Sequence, residues 1–88
     1  MSAGELEGKV ALVTGGSRGI GLAIAESLAA GGARIAVIGR DGERAKAAAA
    51  KLTGSGHCGF SCDVADSEQV KEVLALVESE VGPVDILV

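Results

Sequence analysis

The sequence predicts an α/β fold: a parallel sheet built by βαβαβαβ alternation. Three observations carry that expectation. Short apolar runs at 9–13, 34–38, 58–62 and 84–88 are separated by longer segments whose apolar residues recur at helical spacing. Alternation at this spacing implies right-handed crossovers between parallel strands. The glycine-rich stretch Thr14-Gly15-Gly16-Ser17-Arg18-Gly19-Ile20-Gly21 then lies between the first apolar run and the first helical segment. A buried strand there runs through a glycine turn into a helix N-terminus. Backbone N–H groups and the positive end of a helix dipole converge at such a point and favour a bound phosphate.

Each element follows in order. Residues 1–8 form a lead-in. The first strand covers 9–13. The helix after the glycine turn carries Ile20, Ile24 and Leu28 at helical spacing, with Ala23 on the same side, and Gly31-Gly32 stops it. A second buried strand covers 34–38. Gly39-Arg40-Asp41 turns the chain, and Asp41 caps a second helix whose Ala45, Ala48, Ala49 and Leu52 share a narrow apolar stripe. Thr53-Gly54-Ser55-Gly56 ends it. The third strand, 58–62, is the least convincing by composition. Asp66 with Gln69 three residues on resembles a capping box. It opens a third helix with Val70, Val73, Leu74, Val77 and Val81 on one face, ended by Gly82-Pro83. A fourth strand covers 84–88. By analogy with Rossmann-like sheets the strand order is 3-2-1-4. The first two helices then cover one face and the third the other, and a ligand binds at the carboxyl ends of strands 1 and 4, where the order reverses.

Composition bounds the function. The 88 residues form one small domain, 1–88, with 48% hydrophobic and 23% charged residues, which is globular rather than disordered. Phe60 is the sole aromatic, while 14 glycines and abundant alanine point to close helix–sheet packing. A net charge of −4 with no Lys/Arg stripe argues against nucleic-acid binding. No apolar run reaches membrane-spanning length, and residues 1–9 lack the apolar core of a signal peptide, so a soluble, cytoplasmic setting is expected. Cys58 and Cys62, four apart in a strand, share a face at roughly 13 Å, too far for a disulfide. Neighbouring His57 does not complete a zinc set of four ligands, and no metal is expected.

The spacing of the glycine stretch is G-x-x-x-G-x-G, from Gly15, Gly19 and Gly21. It fits neither the G-x-G-x-x-G fingerprint nor a P-loop, since Leu22 and Ala23 stand where Lys and Ser/Thr would follow. Thr14-Gly15-x-x-x-Gly19-Ile20-Gly21 resembles the cofactor loop of the short-chain dehydrogenase/reductase family. Its wording, TGGSRGIG, is closest to the 3-oxoacyl-carrier-protein reductase and carbonyl reductase branch. Asp63-Val64 after strand 3 and Gly82-x-x-Asp85-x-Leu87-Val88 at strand 4 also match the family, and the resemblance runs from about Lys9 to Val88.

The resemblance implies a cofactor site. Gly15, Gly19, Ile20 and Gly21 would shape the pyrophosphate pocket. Gly39 stands where an NAD-preferring member carries Asp, and Arg40 follows it. A guanidinium there can hold the 2′-phosphate of NADP in bidentate fashion, with Ser17 and Arg18 alongside. Asp63 would accept from the adenine amino group and Val64 would contact the ring. Asp85 reads as structural. The family's Asn-Asn-Ala-Gly motif and its catalytic Ser and Tyr-x-x-x-Lys are not in these 88 residues, which contain no tyrosine. No residue here is assigned a catalytic role. The expected function is that of the cofactor-binding N-terminal portion of an NADP-dependent oxidoreductase acting on a carbonyl or alcohol. That portion is an incomplete Rossmann-like domain, inactive alone and prone to self-association through the edge of strand 4, with a small-molecule substrate only in a complete enzyme. The alternatives are a free-standing nucleotide-binding module without catalysis, or a remnant without ligand.

Overall fold

A computed structural model describes residues 4–15 and 19–88. The elements run β1 (Val10–Thr14), α1 (Gly19–Ala30), β2 (Arg34–Gly39), α2 (Gly42–Lys51), β3 (Cys58–Ser61), α3 (Ser67–Glu80) and β4 (Ile86–Leu87). The sheet order is β3-β2-β1-β4, all parallel, as the alternation implies.

Period-2 alternation sends successive strand residues to opposite faces and divides the core in two. Ala11, Val13, Ile35 and Val37 face α1 and α2, where they pack with Ala25, Ala29, Ala45, Ala48, Ala49 and Leu52. Val10, Leu12, Ala36 and Ile38 face α3, where they pack with Val73, Val77, Val81 and Cys62. The inner strands β1 and β2 are apolar on both sides, so they read as continuous hydrophobic runs.

Helices α2 and α3 start where their caps put them. The Asp41 carboxylate accepts from the Glu43 and Arg44 N–H groups, and that of Asp66 from Glu68 and Gln69. Gln69 does not close an ordinary capping box. Its amide donates to Asp66 Oδ2, and its Oε1 accepts from the Asp63 N–H, three residues ahead of the cap.

The expected face of α1 is corrected. Its buried residues are Ala25 and Ala29, with Leu22 and Leu28 partly buried, whereas Ile20 is 81% exposed and Ala23 is exposed. The helix is apolar nearly all round, so spacing alone could not choose a side. The small alanine row wins because it lets the helix axis approach the sheet. Strand β4 is also shorter than expected, two residues rather than 84–88. Its backbone bonds nevertheless extend beyond it, from Asp85 N–H to Val10 O and from Val88 N–H to Leu12 O.

Asp85 is structural. Its Oδ2 accepts from the Val10 N–H at 3.0 Å while its own N–H donates to Val10 O at 2.8 Å, at the end of the sheet away from the glycine turn. Asp85→Ala leaves the Val10 N–H without its partner, and an unsatisfied donor of this kind costs about 1–3 kcal/mol. Urea denaturation should show that loss, and Asp85→Asn, which keeps an acceptor, should lose less.

His57 serves the same purpose between β2 and β3. Its Nδ1 accepts from the Ile35 N–H at 3.0 Å, so the ring proton sits on Nε2, 2.7 Å from Thr53 O. Both ring nitrogens are therefore engaged with backbone. Thr53 in turn donates its hydroxyl and its N–H to the Glu26 carboxylate on α1. Those two bonds, the hydroxyl's first, hold the Glu26 carboxyl below the usual carboxylate range.

Candidate cofactor site

The site is built at the carboxyl ends of the strands. β1 ends at Thr14, whose N–H and hydroxyl both donate to Val88 O, at 3.1 and 3.0 Å. Gly15 follows at φ +68°, a left-handed conformation that disfavours any side chain, and its N–H donates to Ile38 O at 2.8 Å. This bond ties the start of the glycine turn to the end of β2. The chain is described again at Gly19, also left-handed at φ +62°, where α1 begins. A Cβ placed on Gly15 or Gly19 would meet nothing within 4 Å. These glycines are thus required by conformation, and among the described residues the space beside them is open. Ser17 and Arg18, expected to contact the adenosine phosphate, lie outside the described residues.

The loop after β2 is held by β3. The Cys62 N–H donates to Gly39 O at 2.9 Å, and the Ser61 hydroxyl to Arg40 O at 3.0 Å. Parallel pairing of Gly39 with Ser61 then brings Arg40 alongside the segment that leaves β3. The Arg40 guanidinium lies 3.6 Å from Asp63 Oδ1. The neighbouring Asp41 carboxylate is instead occupied by the α2 cap. The Arg40 side chain is 81% exposed, so this pair contributes about 0.2–1 kcal/mol and leaves the arginine free to change partner. Asp63 Oδ1 also accepts from the Ala65 N–H, which folds the loop and turns Val64 outward, 60% exposed.

A cleft of about 280 Å³ opens among these groups, lined by Thr14, Gly15, Ile38, Gly39, Arg40, Cys62 and Val64. Of the residues expected to bind cofactor, it gathers Gly15, Arg40 and Val64, with Asp63 joined through Arg40. Gly19 and Gly21 stand at the first turn of α1 but do not line it, and Ile20 points to solvent. The cleft lies over the ends of β1 and β2 and the exit of β3, rather than between β1 and β4. A second, nearly wholly apolar hollow of about 250 Å³ adjoins it on the α3 side. That hollow shares Thr14, Ile38, Cys62 and Val64 with the cleft and adds Leu87 of β4.

Two contributions had no signal in the sequence. Ser61 fixes the Arg40 backbone, and a lone serine at a strand end does not announce a partner 21 residues away. Cys62 forms part of the cleft floor. Burial raises its thiol pKa above the usual range, and the negative charges of Asp63 and Asp66 raise it further. Little thiolate forms at neutral pH, and the thiolate is the nucleophile. Iodoacetamide at pH 7 should therefore label half-buried Cys58 several times faster than Cys62, as peptide mass spectrometry would show; the reverse order would contradict this account.

The local electrostatics suit an anion at one helix only. α2 and α3 each carry an aspartate cap and a first-turn glutamate, Glu43 and Glu68, which already complement their dipoles. The first turn of α1 carries no acid. Gly15, four residues ahead of that helix, and the Arg40 guanidinium line the same cleft, and the residues present fit the phosphate groups and adenosine end of a dinucleotide.

Known proteins share this fold. The short chain dehydrogenase family model matches residues 9–88. D-threitol dehydrogenase of Mycolicibacterium smegmatis is 52% identical over 85 residues, covering 94% of this chain and 33% of that protein. The human 3-oxoacyl-[acyl-carrier-protein] reductase is 50% identical over 80 residues, 91% of this chain and 33% of that one. Among solved structures, a citronellol catabolism dehydrogenase of Pseudomonas aeruginosa superposes with a TM-score of 0.91 at 32% identity, over 99% of this chain and 37% of that chain. The chain spans about a third of the length of the curated relatives it matches. With the family model matched from Lys9 onward and the sheet order in place, the chain belongs to the short chain dehydrogenase family of nicotinamide-dependent oxidoreductases.

Proposed function

We propose that this chain is the cofactor-binding portion of an NADP-dependent oxidoreductase that transfers hydride between NADPH and a carbonyl or alcohol substrate. The observation that carries the reading is Arg40. It stands at the lip of the cleft directly after β2, beside Gly39 rather than an acid, with a weak partner in Asp63. A guanidinium there offers a planar fork to a 2′-phosphate, whereas an acid would repel it. The left-handed Gly15 and the N–H groups at the head of α1 would take the pyrophosphate. Asp63 keeps Oδ2 available for an adenine amino group, and exposed Val64 offers a face to the ring. A bound nicotinamide would supply the hydride to a carbonyl or accept it from an alcohol; these residues would hold the phosphate and adenosine end of the cofactor. The substrate class rests on the relatives, one named for oxidising a polyol and the other for reducing an oxo group. A cytoplasmic setting belongs to the same reading, supported by two free cysteines and by the lack of any described helix long and apolar enough to cross a membrane.

No phenol is present to act as general acid, since the sequence contains no tyrosine. The 88-residue chain is therefore expected to bind NADPH without oxidising it when ketones or aldehydes are added. Calorimetric titration with NADPH and NADH tests the reading. NADPH should bind about tenfold or more tightly, the value of one charge-assisted contact. Equal dissociation constants would remove the NADP assignment, and no binding of either would leave a family member without ligand.

A further inference from the structure

The groove between α1 and α2 lies on the sheet face that the cofactor cleft does not use. It holds about 300 Å³. Its floor is apolar, from Leu22, Ala48 and Leu52, and two cations of α2, Arg44 and Lys51, stand along one rim. Seven positions separate them, two helical turns, or roughly 10.5 Å of rise. On the α1 wall Glu26 is engaged through both carboxylate oxygens by Thr53.

A complementary surface exists on α3. Glu72, Leu76 and Glu80, four residues apart, form one stripe on the flank of α3 beside β3, where Glu72 and Leu76 border Phe60 and Ser61. Both glutamates are exposed, and Leu76 is 49% exposed, a large apolar side chain flanked by acids. The glutamates are roughly 12 Å apart along the helix, close to the spacing of the two cations. Among the described residues the ion pairs are Arg40–Asp63 and Lys71–Glu68, so neither set of charges is paired with another described residue.

We propose that the α1–α2 groove receives the α3 stripe of a second copy of this chain. Leu76 enters over Leu22, Ala48 and Leu52, and Glu72 and Glu80 meet Arg44 and Lys51. α1 and α2 lie on one side of the sheet and α3 on the other, so the groove and the stripe are separate surfaces of one molecule. The groove and the stripe are different surfaces, so the contact is head-to-tail and extends into a series of oligomers unless its rotation closes a ring. One helix in one groove is at the small end of specific interfaces, so the association is weak and concentration-dependent.

Two charge-reversed proteins test it, Arg44→Glu with Lys51→Glu, and Glu72→Lys with Glu80→Lys. Circular dichroism should show the helices unchanged, as these side chains are exposed. Light scattering on the unmodified chain should show mass rising with concentration and falling with added salt. Each variant alone should associate at least about tenfold more weakly, since like charges then face each other. Mixed one to one, the variants should regain association, because each then offers the other a matched groove and stripe. The proposal is overturned if the unmodified chain stays monomeric at all concentrations. It is equally overturned if the variants associate as before, as the outer edge of β4 would allow, or if the mixture stays monomeric.

Discussion

Replacing Gly59 by alanine is expected to cost the fold about 3 kcal/mol, the upper end for overpacking, and valine should cost more. Gly59 sits in β3, and α2 crosses it so closely that an added Cβ would lie 2.4 Å from Ala45 C and Lys46 N. Those are backbone atoms inside a helix, so no side chain can turn aside; α2 or β3 must move bodily. Either shift disturbs Ala45, Ala48 and Ala49, which are buried under α2. A domain of this size has about 5–15 kcal/mol of stability at most, so the valine form is expected to lose a large share of it. Gly42→Ala is the control. The Cβ there would meet the Ser61 Cβ at 3.1 Å, and its φ is ordinary, so the change should stay within about 1 kcal/mol. Thermal unfolding of the two alanine variants should separate them clearly. Similar midpoints would mean that α2 rides on β3 more loosely than the structure has it.

The second large effect concerns cofactor choice. In the double variant Gly39→Asp with Arg40→Ala the preference for NADPH over NADH should reverse. The arginine contributes charge-assisted hydrogen bonds of about 1.5–3 kcal/mol each, and its removal alone should weaken NADPH roughly tenfold or more. The added carboxylate would stand at the end of β2, where it can accept from a free ribose 2′-hydroxyl and repels a 2′-phosphate. Because Ser61 and Cys62 hold this loop through the carbonyls of Arg40 and Gly39, the backbone should keep its place when the side chains change. The singles report separately: Arg40→Ala should lose NADPH affinity with little change for NADH, and Gly39→Asp should gain NADH. An Arg40→Ala protein that binds NADPH as before would move the phosphate contact elsewhere.

Much of this architecture was legible in the sequence. Period and capping are local, so the order of elements, the caps at Asp41 and Asp66 and the two-faced core could be read from neighbouring residues. What was not legible depends on contacts distant in sequence. β3 looked weak because Gly59 lowers strand propensity, yet that glycine is what admits α2. The face of α1 was misread because Ile20, Ile24 and Leu28 outweigh alanines by hydrophobicity, whereas packing against a sheet rewards small side chains. Arg40 was placed correctly at the end of β2, but its pairing with Asp63 spans 23 positions and exists only because β3 docks beside β2. Gln69 was legible as part of a cap; its bond to the Asp63 N–H, which steadies the cleft's far wall, was not.

The bonds from Thr14 to Val88 O join the first strand to a residue 74 positions later. β1 is flanked by β2 and β4, and one of its two edges waits for β4, which is synthesised after β3 and α3. A nascent chain therefore makes the glycine turn early but anchors it late, after nearly the whole segment has left the ribosome. Pairings this remote in sequence are slow to form, and an apolar strand left open meanwhile invites the wrong partner. For this segment, the interval before β4 arrives is when misassembly is most probable.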